Sequence, residues 1–138
     1  MGKFMKTLCC MIILGTASAA AACTPELPAG GGKAQTIESK KYTVAFRTQP
    51  EKIEIGKHFT VELAVCANAG AAAPESVSVD ATMPEHHHGM NYRTTVTGSG
   101  GQYRAQGLMF HMPGRWEYVF EVRAKGATER LTSSTTLQ

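Results

Sequence analysis

The chain lacks the motifs that most often carry catalysis. Its 138 residues contain no Gly-rich phosphate loop, no nucleophile elbow and no Cys-His pair with local support. An excess of one charge is also missing. Two of the fourteen Lys and Arg precede Cys23, which leaves twelve against eleven Asp and Glu. A balance this close to neutral, with its charges spread out, excludes nucleic acid as an expected partner. No stretch carries a helical apolar stripe, and no internal repeat appears. The only carboxylates near the histidine-rich region are Asp80 and Glu85. A hydrolytic zinc site prefers a His/carboxylate set in a shaped cleft, so an enzyme is not expected.

Long hydrophobic runs are missing too. The longest, Thr7 to Ala22, is too short for a comfortable membrane span. It follows Lys3 and Lys6 and ends in small residues, so 1–22 reads as a secretory signal peptide. The run closes with Ala20-Ala21-Ala22-Cys23. A cysteine after small residues suits lipoprotein processing, with Cys23 as the lipid-bearing residue and a membrane anchor as the result. An ordinary cut after Ala22 or Ala19 is the competing reading. Both put the mature domain in the periplasm or cell envelope.

Cysteine is scarce as well. Cys9 and Cys10 leave with the signal, so Cys23 and Cys66 remain. Lipidation of Cys23 makes Cys66 a lone thiol; without it, a Cys23–Cys66 disulfide becomes available.

What remains is a tether and one domain. Residues 23–41 hold two prolines, three consecutive glycines and few large apolar residues, the composition of a flexible linker. Residues 42–138 have period two. Tyr42, Val44 and Phe46 alternate with smaller or polar residues, as do Phe59 to Val65, Val77 to Ala81 and Trp116 to Val122. Turn signals at Gly56, Asn68 to Pro74, Gly98 to Gly101, Pro113-Gly114 and Gly126 separate the runs. The pattern predicts an all-β chain: one Ig-like antiparallel β-sandwich of about seven strands.

Against this plain background one concentration stands out. All four methionines after Cys23 and four of the five histidines fall between Met83 and Met112. They are Met83, His86, His87, His88, Met90, Met109, His111 and Met112. Imidazole and thioether both bind copper, and thioether favours Cu(I). The spacing predicts a strand to Met83, a loop from Pro84 to Gly89, a strand from Met90 to Thr97, a turn, and a strand from Gln102 to Met112. Pairing Thr97 with Gln102 sets Met90 opposite Met109 and His88 near His111, within about 5 Å between Cβ atoms. The candidate metal ligands are therefore His86, His88, Met90, Met109 and His111. Met83 and Met112 continue apolar faces and read equally as core. Three adjacent histidines do not all reach one ion easily, and His58 has no evident partner, so it is assigned to solvent.

The segments MPEHHHGMNYR (83–93), GQYRAQGLMFHMPGRWEYVFEV (101–122) and TERL (128–131) resemble the YtkA-like family of small exported β-sandwich domains. The resemblance covers most of 42–137. It implies an exported or lipid-anchored protein; some members are domains of proteins linked to metal transport or respiratory electron transfer. By motif it singles out Met83, His86, His88, Gly89, Met90, Asn91, His111, Met112, Pro113, Gly114, Arg115 and Trp116. His87 falls where members are expected to vary. A structural role is open for many of them: Trp116 as a core plug, Arg115 paired with Glu85 or Asp80. The expected function is binding of a copper ion, or a similar transition metal, and its transfer to an envelope protein partner. The alternative is a non-metal interaction or accessory domain of an envelope or respiratory complex.

Overall fold

A computed structural model describes residues 23–138. The expected signal peptide, 1–22, lies outside the described residues. Nine strands run in the order β1 (Gln35–Glu38), β2 (Tyr42–Gln49), β3 (His58–Ala67), β4 (Ser76–Met83), β5 (His88–Gly89), β6 (Thr95–Ser99), β7 (Gln102–Met109), β8 (Gly114–Ala124) and β9 (Ala127–Leu137). They form two antiparallel sheets packed as a sandwich, β1-β2-β3-β7-β6 and β5-β4-β8-β9. The all-β expectation holds. The two strands beyond the expected seven are β1, whose residues are mostly exposed, and β5, which is two residues long. Neither carries an apolar alternation, so neither left a period-two signal.

The alternating runs do what their period requires. Val44, Phe46, Val61 and Leu63 from one sheet meet Val79, Ala81, Phe120 and Val122 from the other, all at most 1% exposed. Trp116 is fully buried and stacks on Phe110 at 4.5 Å between ring centroids. Phe59 meets the same Phe110 edge-on at 4.9 Å. This aromatic group closes the core at one pole of the sandwich, beneath the β7–β8 connection.

The stretch read as a tether is docked. β1 pairs with β2, and the Arg47 guanidinium donates to the Pro28 carbonyl at 2.9 Å. Arg47 also pairs with Glu62 at 2.8 Å, and Glu62 accepts from Arg104 at 2.9 Å. These three side chains stand side by side on β2, β3 and β7, and the 28–32 segment covers the first. The domain therefore begins by Gln35 rather than Tyr42. A chain short of apolar residues can still be fixed by backbone bonds to a side-chain ion pair, which composition does not reveal.

Cys23 and Cys66 form a disulfide, with Cα atoms 6.1 Å apart. A sulfur in that bond has no valence left for a lipid thioether. Of the two fates open to Cys23, the structure contains the disulfide, and the expected lipidation and anchor at Cys23 are not compatible with it.

The three strands expected to follow one another side by side, ending at Met83 and running from Met90 to Thr97 and from Gln102 to Met112, do not share one sheet. β4 belongs to one sheet and β6 and β7 to the other, so the chain crosses between sheets after β5. The β6–β7 hairpin closes on Ser99 and Gln102, not on Thr97 and Gln102. Gly100 (φ 63°) and Gly101 (φ 87°) are both left-handed, the requirement of a two-residue hairpin turn. That shifts the register by two residues and removes the expected Met90–Met109 pair.

Candidate metal centre

Three of the five candidate ligands come together at the pole capped by Phe110 and Trp116. A turn after β4 begins with the His86 amide donating to the Met83 carbonyl at 3.1 Å. His87 then takes a left-handed conformation (φ 56°), a region where histidine is tolerated better than most residues. The excursion turns the backbone between its neighbours, and the His86 and His88 rings end 5.7 Å apart. β5 holds His88 beside Met83. On the far side of His88, the His111 ring lies at 5.3 Å. His111 follows the end of β7 and packs edge-on against Trp116 at 5.3 Å. His88 and His111 are thus brought together across the two sheets rather than along one ladder.

The spacing suits a shared ion. Metal–nitrogen bonds of about 2.1 Å place two ligating imidazole centroids roughly 5 to 6.5 Å apart. Both gaps in the row fall inside that range. The His88 Nδ1 lies 3.1 Å from the Gly89 carbonyl. With Nδ1 donating there, the ring presents its Nε2 lone pair, as a metal-ligating histidine does. The His111 Nδ1 is shielded from solvent and has no hydrogen-bond partner. An unmet buried polar atom costs about 1–3 kcal/mol. Among the described residues no three His, Cys, Asp or Glu side chains form a group able to hold an ion. The described histidines therefore form no closed metal centre, although the separations of neighbouring rings fall in the range that two ligands of one ion would show.

The remaining candidates lie elsewhere. Met90 packs against the edge of the core, its amide bonded to the Ala81 carbonyl at 3.2 Å. It lines a shallow groove with Asp80, Thr82 and Tyr92 on the outer face of the second sheet. Met109 pairs with His58 on the outer face of the first sheet. Met83 is fully buried in the core, and the Met112 carbonyl accepts the Trp116 indole N–H at 3.0 Å. His58, assigned to solvent from the sequence, is exposed, as expected, but it is not without neighbours. It opens β3 at the same pole and meets Tyr92 edge-on at 5.1 Å. Its place depends on the β3–β7 pairing, which joins residues about fifty positions apart and has no local signal.

Arg115 ties the histidine turn to the sheet. Its guanidinium donates to Glu85 at 2.8 Å and to the Ser134 hydroxyl at 3.3 Å. The Glu85 carboxylate, by hydrogen bond and then by charge, holds Arg115 further above its ordinary range. Glu85 is thereby engaged as a brace for the turn.

The YtkA-like family model matches residues 36–121, well over half of the chain. The chain belongs to the YtkA-like family. The YtkA-like match runs from β1 into β8 and so includes the whole histidine pole. Among solved structures, the chain is similar to the crystal structure of a DUF4426 family protein from Pseudomonas aeruginosa. The two are 12% identical, with a TM-score of 0.49 over 75% of this chain and 94% of that one. No curated protein matches the sequence.

Proposed function

We propose that this YtkA-like domain works outside the cytoplasm, in the periplasm or cell envelope, and carries copper to a partner protein. The observation that supports it most is the His86–His88–His111 row, with 5.7 and 5.3 Å between centroids and a solvent-shielded, unbonded Nδ1 at its inner end. That unmet nitrogen is a donor that a bound ion would satisfy. Imidazole suits copper, and open coordination positions suit a carrier that must release its cargo. A Cys23–Cys66 disulfide fits an oxidising compartment, where such bonds persist. The docking-domain alternative draws less support. Among the described residues the exposed large hydrophobic side chains are Ile55 and Tyr92, too few for an apolar interaction patch.

The test is calorimetry with Cu(II), and with Cu(I) under reducing conditions. His86→Ala combined with His88→Ala is expected to weaken copper at least tenfold, or about 1.4 kcal/mol. Both positions lie in or beside the exposed turn, so the fold should survive, as circular dichroism would check. Unchanged affinity in the double variant ends the carrier reading.

A further inference from the structure

His58 and Met109 are directly opposed on β3 and β7, with Phe59 and Leu108, the next pair, pointing into the core. Opposed residues of an antiparallel pair share a face, with Cβ atoms about 5 Å apart. The imidazole and the thioether therefore stand side by side on the outer surface of the first sheet. Two features build a wall around them. β6 ends its pairing at Thr95–Gln106, so the last residues of β7 have no strand on that flank. In its place runs the crossing segment, pinned where the Thr94 hydroxyl donates to the Val79 carbonyl. A Cβ on Gly107 would stand 3.1 Å from the Arg93 carbonyl, so the segment lies directly against β7 there. Tyr92, one residue earlier, then lands edge-on against the His58 ring at 5.1 Å. It is 42% exposed although its ring is held.

We propose that His58 and Met109 form a second copper site, selective for Cu(I), with Tyr92 as its side wall. The proposal rests on the copper-carrier reading but uses none of the histidine row. A thioether is a soft, neutral donor that favours Cu(I) over Cu(II) or Zn(II). One imidazole and one thioether satisfy an ion that accepts low coordination numbers, and they leave a position to which a partner can add its own donor. The pair sits at the same pole as the row, since His111 follows Met109 by two residues. The pole then offers an all-imidazole station, tolerant of either oxidation state, beside a thioether station for the reduced ion.

The test uses the exported chain, copper ion alone as ligand, and a competing chromophoric chelator under anaerobic reduction. Met109→Leu nearly conserves volume, so it removes the sulfur while keeping the packing. It is expected to weaken Cu(I) at least tenfold, leave Cu(II) unchanged, and abolish the sulfur shell in copper X-ray absorption. His58→Ala should weaken Cu(I) to a similar degree while keeping the sulfur shell at saturating copper. Met90→Leu is the control and should change neither quantity. A sulfur shell that survives Met109→Leu, or Cu(I) affinity that ignores it, overturns the proposal. If the His86/His88 double variant loses Cu(II) while Met109→Leu has no effect, the carrier reading stands and this site falls. If neither variant changes copper binding, both fall together.

Discussion

Tyr118 is 1% exposed and surrounded by Phe46, Phe59, Phe110 and Phe120, with ring centroids 5.5 to 6.5 Å away. Burial pushes its phenol well above the ordinary value of 10.0, because the phenolate would lose its hydration among apolar rings. The sign follows. Below about pH 10 the group is neutral in both states and its burial is fully stabilising; as pH rises further the unfolded phenol ionises and the folded one does not. Stability therefore falls on the alkaline side. Urea unfolding from about pH 9 to about pH 11 should show a declining free energy, and Tyr118→Phe should flatten the decline. The same substitution should cost under about 1.5 kcal/mol at neutral pH, since the ring and its contacts stay. An alkaline slope identical in the two proteins would mean that another group controls it.

At the scale of elements, the bend in β7 determines what surrounds Met109. Ala105 and Leu108 both point inward although three residues apart, because the ladder slips between Phe59 and Val61. Gly107 takes the slip at φ 90°, a conformation that a side chain resists. Gly107→Ala combines that strain with pressure on the Arg93 carbonyl, so a loss of about 1–3 kcal/mol is expected, read as a fall in Tm of several degrees. It should also lift the 92–94 segment, freeing the Tyr92 ring from His58 and shifting the His58 ring resonances in NMR. A neutral substitution would show that the crossing segment yields easily. The same stretch shows how far the sequence could be read. Leu108, Phe110 and Trp116 announced their inward positions through period two, and the core followed. The hairpin register depended on whether two or four glycine-rich residues made the turn, a choice that alternation leaves open. His58 depended on a pairing between distant strands, so its thioether neighbour had no trace in its own surroundings. The histidine row lay between: its common pole was legible from two turns, but its ring contacts arise across sheets.

At the scale of the molecule, the disulfide and the histidines occupy opposite poles. β3 runs from His58 to Ala67, so Cys66 lies about 26 Å along the strand from His58 at roughly 3.3 Å per residue. The Cys23–Cys66 bond closes a span of 43 residues that contains β1 and the glycine segment covering Arg47. Removing it releases the chain entropy of a loop that size, about 3–4 kcal/mol in the loop-closure account. Cys23→Ser with Cys66→Ser should therefore lower Tm markedly. The core between the poles is packed without help from the 23–34 segment, so copper affinity should stay within about twofold, under about half a kcal/mol. Thermal melts and calorimetry on the same preparation separate the two quantities. Copper affinity that drops together with the disulfide would mean that the N-terminal segment supports the far pole through the sheet. Intact mass of the exported protein, before and after reduction, decides the chemistry of Cys23 itself. A mass that rises by two hydrogens on reduction fits the disulfide, while a diacylglyceryl adduct on Cys23 would exclude the Cys23–Cys66 bond.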